Sequence, residues 1–225
     1  MKLVIFNGSP RFKKSNSALL IDRFLEGYNH FNGDLVPVHY LASRTQREAS
    51  AEIFHKAETV LVVFPLYTDC MPGIVKEFFE RIVQHSKDSV TKKIGFIVQS
   101  GFPESIHASF LEKYLKKLAQ RLHCEYLGTV IKGGVEGIQI MPPVMTNKLF
   151  SQFEMLGESF DLDGAFEPTI VAEMRKPYTY SHTYARIFNL LSSTGLTNFY
   201  WNSNLKKNGA YEKRFDRPYL EEVSR

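Results

Sequence analysis

Apolar and polar positions fall in blocks along the chain, and each apolar block that reads as a strand is followed by one that reads as a helix. Lys2–Phe6 (KLVIF) is a short apolar run with β-branched residues, and after a polar loop Leu20, Ile21, Phe24, Leu25 and Tyr28 recur at helical spacing between Asn16 and Tyr28. Asp34–Leu41 (DLVPVHYL) reads as a second strand, with Pro37 suggesting a sheet edge, before a polar helical stretch from Ser43 to Ala57. Thr59–Phe64 (TVLVVF) is apolar throughout, as a central parallel strand covered on both faces should be, and Ile74, Val75, Phe78, Phe79, Ile82 and Val83 form the next helical stripe. Lys93–Gln99 (KIGFIVQ) predicts a fourth strand, followed by a helix marked by Leu111, Tyr114, Leu115, Leu118 and Leu122. Cys124–Ile131 predicts a fifth, leading through a glycine-bearing loop to a helix that starts near Thr146. Five such units predict an α/β fold with an open, doubly wound parallel sheet and helices on both faces.

In sheets of this kind, with strand order 2-1-3-4-5, ligands bind outside the carboxyl ends of the strands where the order reverses. The loops after strands one, three and four should meet there; they read NGSPRFKKSNS, PLYTDCMPG and SGFPES. The first sits one residue from a triphosphate loop, G-x-x-x-x-G-K-[ST]: Gly8, Lys14 and Ser15 fit, but Lys13 stands where the second glycine belongs. A lysine adopts the backbone of that wrap only at a cost, and the strand TVLVVF runs into Pro65 rather than into a magnesium-binding acid. A monophosphate asks less. Hydroxyls of Ser9, Ser15 and Ser17, the Asn16 amide and the free N–H groups of a helix start would hold it, with Arg11 adding charge. The bland alternative is that Ser15, Asn16 or Ser17 simply caps the helix, with Lys13 and Lys14 solvated; the loop holds more hydroxyls than one cap needs.

Composition narrows the class without naming a partner. The 225 residues are 44% hydrophobic, enough for one α/β domain, read as residues 1–162, and an aromatic-rich carboxyl-terminal helical or irregular extension, residues 163–225. A net charge of +4, from 28 basic and 24 acidic residues, is too mild for a dedicated nucleic-acid binder. Two cysteines, Cys70 and Cys124, exclude a disulfide framework, a four-cysteine zinc site and a cysteine-ligated iron–sulfur cluster within one chain. The first apolar run is too short for a signal-peptide core and no run has the length of a membrane span, so the expectation is a cytoplasmic protein without a membrane partner. His107, His123 and His182 lack partners at metal-ligand spacing, and no metal is assigned. Ser9-Pro10 lacks the glycine-flanked turn of a serine hydrolase.

The two quoted loops carry a resemblance. Residues 2 to about 130 resemble the NADPH-dependent FMN reductase family of flavodoxin-like proteins, whose phosphate loop is of the Gly-Ser-x-Arg type followed by serines, here GSPRFKKSNS. The family's second segment, P-x-Y-x(4)-P-[GA]-x-x-K-x-[FW], reads PLYTDCMPGIVKEF here. The resemblance implies bound FMN, reduced by NADPH or NADH, with Pro65, Leu66, Tyr67 and Thr68 bordering the isoalloxazine and Ser100, Gly101 and Phe102 approaching it from the fourth loop. It implies a ping-pong exchange in which the nicotinamide leaves before a small acceptor takes the electrons: a quinone, flavin, nitro or azo compound, or metal ion. It also implies a homodimer. A flat ring does want aromatic walls and close backbone approach, which Tyr67, Phe102 and Gly101 offer. No residue is assigned as catalytic, since the cofactor carries the chemistry. A one-electron carrier and a flavin-binding regulatory module without turnover are the alternatives. Beyond about residue 160 the resemblance fades; either Ile187, Phe188, Leu190, Leu191 and Leu196 form a helix packed on the domain or on a partner subunit, or Phe199, Tyr200 or Trp201 covers the flavin of the same or the other subunit.

Overall fold

The computed structural model describes residues 3–32, 35–84, 92–195 and 198–217; Lys2, Asp34 and Leu196, which figure in the sequence pattern, lie outside them. Five strands, β1 (Leu3–Asn7), β2 (Val38–Tyr40), β3 (Thr59–Pro65), β4 (Lys92–Gln99) and β5 (Cys124–Lys132), form one parallel sheet in the order β2-β1-β3-β4-β5. Pro37 does mark the edge. Its carbonyl accepts the Ile5 N–H (3.1 Å), but it has no N–H to extend the ladder, so β2 is shorter than its apolar pattern suggests.

Period-two alternation sorts the buried strand residues onto two faces. Val4, Phe6, Val60, Val62, Phe64, Ile94, Phe96 and Val98 pack against α2 (Arg44–Lys56), α3 (Gly73–Gln84) and α4 (Ser109–Arg121). Leu3, Ile5, Leu61, Val63 and Ile97 pack against α1 (Asn16–Asn32) and α5 (Pro143–Asp163). Pro143 opens α5 three residues before Thr146, because a proline at the first helical position loses no helix hydrogen bond. Helices α1 and α5 approach backbone to backbone. A Cβ on Gly27 would stand 1.8 Å from the Glu154 carbonyl oxygen, and one on Gly157 would stand 1.9 Å from that of Phe24.

The sheet face behind α1 and α5 is completed from beyond residue 162. Gly95 and Gly128 pair across β4 and β5 where the register shifts, and the ring of Phe166 fills the space they leave: a Cβ on Gly95 would come within 2.9 Å of it. Phe166 is buried, and Met174, at the end of α6 (Pro168–Met174), is fully so. The Glu167 carboxylate caps α6 by accepting the Ile170 N–H at 2.8 Å. The first compact unit therefore runs to Thr179, and the second is Tyr180–Arg225. The second contains α7 (His182–Ser193) and α8 (Phe199–Lys207), and none of its described side chains is buried.

Candidate functional site

The turn after β1 starts from Gly8, where a Cβ would meet Val75 Cγ2 at 2.3 Å; only glycine lets the chain cross this close to α3. Asn7, fully buried, then folds the loop: its Oδ1 accepts the Ser9 N–H at 2.9 Å. A short 3-10 turn over Phe12–Lys14 leads to α1. The Ser15 hydroxyl donates to the Phe12 carbonyl (2.7 Å) and accepts the Ala18 N–H (3.0 Å), so the serine caps the helix. The backbone N–H groups of Lys13, Ser15, Asn16 and Ser17 find no acceptor among the described residues. Three of these donors, on Ser15, Asn16 and Ser17, stand at the positive end of a 17-residue helix, and the fourth lies in the turn before it.

The turn after β3 is a two-residue hairpin. Tyr67 and Cys70 exchange backbone hydrogen bonds (2.9 and 3.0 Å), with Thr68 and Asp69 between them at φ 48° and 59°. Neither is glycine, and a β-branched residue in this region is strained. The hairpin is tied to the next strand end by the Leu66 N–H, which donates to the Gln99 carbonyl at 2.8 Å.

These loops meet as the sequence reading expects. Ser9, Arg11, Asn16, Pro65, Leu66, Tyr67, Ser100 and Gly101 line one cavity of about 80 Å³ at the carboxyl edge of the sheet. Four expected residues do not line it. Ser15 spends its hydroxyl on the helix cap, and the fully buried Ser17 hydroxyl lies 3.4 Å from the Gln99 amide. Thr68 is carried away on the hairpin tip, and Phe102 is 61% exposed with its ring 4.8 Å from that of His107. Two residues that the pattern did not single out join the wall, Gln99 and Glu136. Glu136 belongs to the loop GGVEG after β5, and its signal was positional: that loop leaves the same edge of the sheet as the other three.

Asn16 has a role besides any ligand. Its Nδ2 donates to the Val135 carbonyl (2.8 Å) and its Oδ1 accepts from Gln139 Nε2 (2.8 Å), joining the first loop to the one after β5. A larger cavity of about 560 Å³ lies between α1 and α5, lined by Leu19, Arg23, Phe150 and Glu154 among others, but none of the strand-end loops after β1, β3 and β4 reaches it. The smaller cavity is the candidate site because the loops after β1, β3, β4 and β5 meet there, with Asn16 bringing the start of α1 to its wall. Cys70 is exposed on the hairpin, whereas Cys124 is buried at the opposite edge and burial pushes its thiol up to about 11. Among the described residues no group of three or more His, Cys, Asp or Glu side chains is placed to hold a metal ion.

A family model described as "Flavodoxin-like fold" matches residues 1–148. The chain belongs to this flavodoxin-like family. No curated protein matches it in sequence. Solved structures share the flavodoxin-like fold at low identity. An FMN-dependent NADH-azoreductase from Bacillus anthracis in complex with FMN has a TM-score of 0.55 at 17% identity, covering 72% of this chain and 100% of its own. The NAD(P)H:quinone oxidoreductase from Methanothermobacter marburgensis has 0.55 at 16%, over 72% and 96%. The Trp repressor binding protein from Bacillus subtilis has 0.53 at 18%, over 69% and 97%. In each the match spans nearly the whole neighbour and leaves more than a quarter of this flavodoxin-like chain outside it.

Proposed function

We propose that the protein is an FMN-dependent NAD(P)H oxidoreductase that delivers electrons to a small-molecule acceptor. The observation that carries this reading is the convergence on one cavity of Arg11, Asn16 at the unpaired start of α1, Tyr67 of the hairpin and the Ser100–Gly101 turn. The donor set fits a phosphate monoester: the free backbone N–H groups of Ser15, Asn16 and Ser17 at a helix start and that of Lys13 in the turn before it, with Arg11 on the wall of the neighbouring cavity. The cavity encloses only part of a mononucleotide, so the ring would lie along the open edge between Tyr67, 44% exposed, and Gly101.

Bound there, FMN would supply two-electron transfer between a nicotinamide and the acceptor. The chain's own part is to hold and orient. The α1 start and Arg11 anchor the phosphate, Pro65–Tyr67 and Ser100–Gly101 form walls for the ring, and the exposed Tyr67 leaves one side open to nicotinamide and acceptor in turn, as a ping-pong exchange requires. The azoreductase and quinone oxidoreductase among the fold neighbours support azo compounds and quinones as acceptor classes. A homodimer in the cytoplasm completes the proposal.

An absorbance spectrum after FMN loading and desalting, followed by anaerobic NADPH or NADH, tests it. Retained flavin bands that bleach on the nicotinamide, and steady turnover when quinone is added, are expected. Retained flavin that neither nicotinamide bleaches would point to an electron carrier or a binding module, and no retained flavin would overturn the reading.

A further inference from the structure

Four loops build the candidate site, and the one after β5 brings the single acidic residue among those lining its cavity, Glu136. This loop is a fixed strap. Gly134 N–H donates to the Phe102 carbonyl (2.9 Å) and Val135 N–H to that of Ser100 (3.0 Å), so the strap is laced to the fourth loop. On its other side Asn16 Nδ2 holds the Val135 carbonyl (2.8 Å), and Gln139 Nε2 reaches Asn16 Oδ1 (2.8 Å) and the Lys14 carbonyl (3.2 Å). Val135 and Ile138 are buried on either side of Glu136, and a Cβ on Gly133 would lie 2.4 Å from the Pro103 carbonyl oxygen. The strap cannot slide without breaking these contacts.

The result is a carboxylate placed on the bare face of Gly101. Glu136 Cβ and Oε2 lie 3.4 and 3.6 Å from the point where a side chain on Gly101 would begin. Resting on the reading that Gly101 borders the flavin ring, we infer that Glu136 is the charge-selecting residue of the site: its carboxylate opposes added negative charge at the ring end, and so favours uncharged or cationic acceptors over anionic ones. A hydride brings two electrons and one proton, so reduction adds a net negative charge to the pocket. Arg11, the cation on the same wall, belongs to the phosphate loop, where the phosphate meets it. The carboxylate therefore weakens the hold on reduced FMN relative to oxidised FMN.

The test is Glu136→Gln, which keeps the shape and removes the charge, with Glu136→Asp as the charge-retaining control and circular dichroism to verify folding. Dissociation constants for oxidised and reduced FMN are measured for each. The Gln variant is expected to lower the ratio of reduced to oxidised dissociation constants about tenfold, equivalent to a midpoint potential about 30 mV higher for a two-electron couple, while Asp stays near the parent. In parallel, kcat/KM for a sulfonated quinone relative to its uncharged parent should rise about tenfold in the Gln variant only. Unchanged ratios in a folded Gln variant that still binds FMN would overturn the inference and leave the flavin reading standing. Failure of the parent protein to bind FMN in either form would overturn the flavin reading and the inference with it.

Discussion

The side-chain amide of Asn16 donates to the main-chain carbonyl of Val135 across 2.8 Å, although 119 positions separate them in the chain. This bond and the one from Gln139 hold the start of α1 and the strap after β5 in fixed relation, and Asn16 is 7% exposed. Removing a buried partner leaves the carbonyl unsatisfied, so Asn16→Ala should cost about 1–3 kcal/mol in urea denaturation. Asn16→Asp is the sharper variant: a carboxylate cannot donate to Val135 and would stand beside the proposed phosphate site, so FMN affinity should fall by at least about tenfold beyond the alanine variant. Equal FMN affinity in the Ala and Asp variants would argue that no phosphate lies against this helix start.

Helix propensity and packing make opposite predictions at Gly27 and Gly157. Alanine in a helix interior gains about 1 kcal/mol over glycine. At these two positions the added carbon would overlap a facing carbonyl oxygen at under 2 Å, and α1 and α5 would have to separate. Gly27→Ala and Gly157→Ala should each destabilise by about 3 kcal/mol or more, with a lowered Tm. A neutral or stabilising result at either position would mean that the helices pack farther apart.

The hairpin that carries Tyr67 stores backbone strain in two residues without glycine's freedom, Thr68 and Asp69. Each left-handed non-glycine residue costs on the order of 1–2 kcal/mol, least for asparagine and aspartate. Thr68→Asn should therefore raise stability by about 0.5–1 kcal/mol, read as a higher Tm of the flavin-free protein. If the strain serves to hold the hairpin against a ring, Thr68→Gly should loosen that grip and raise the FMN dissociation constant while the fold stays intact.

The strands were legible because burial on both faces leaves near-continuous apolar runs, of which TVLVVF is the plainest; their order followed only from the fold class that five such units imply, and that order places the loop residues of the site at strand ends. Ser15 was ambiguous for a physical reason: a hydroxyl at a helix start serves a cap and an anion with the same geometry, and only the distances to Phe12 and Ala18 decide. Glu136 escaped because nothing local marks it; its importance comes from a strap laced to residues more than thirty positions away, at Ser100 and Asn16. Phe166 escaped likewise, since the hole it fills is made by Gly95 and Gly128, which in sequence read as weak points of strands.

That plug gives a truncation test of where the first unit ends. A chain ending at Thr179 keeps Phe166 and Met174 in the core and should fold with a cooperative transition. One ending at Leu162 uncovers the α1 and α5 side of the sheet and should lose about 3 kcal/mol or more, as should Phe166→Ala to a similar extent in the full chain. Equal stability of the two truncated chains would place the boundary at 162 after all.

Alkaline pH supplies the last prediction. Burial raises the Cys124 thiol from its ordinary value to about 11, with the nearby Lys92 amine pulling it down as the lesser influence. The folded state thus holds this proton more tightly than the unfolded chain does. Its contribution is fully present below the ordinary thiol range and is lost as pH rises from about 9 to about 11. Lys92 works against this: burial lowers its amine, so the unfolded chain holds that proton more tightly and stability from this group grows with rising pH as the range of an ordinary lysine is approached. Urea midpoints between pH 8 and 11 should fall for the parent, and Cys124→Ala should lose less across the same range even though its midpoint at pH 8 is lower. Iodoacetamide provides the kinetic counterpart: the exposed Cys70 should react at pH 8 while Cys124 stays protected until denaturant is added. Parallel pH profiles for parent and variant would show that Cys124 ionises as freely in the folded protein as in the unfolded chain, and would place water at the end of the sheet where Lys92 pairs with Cys124.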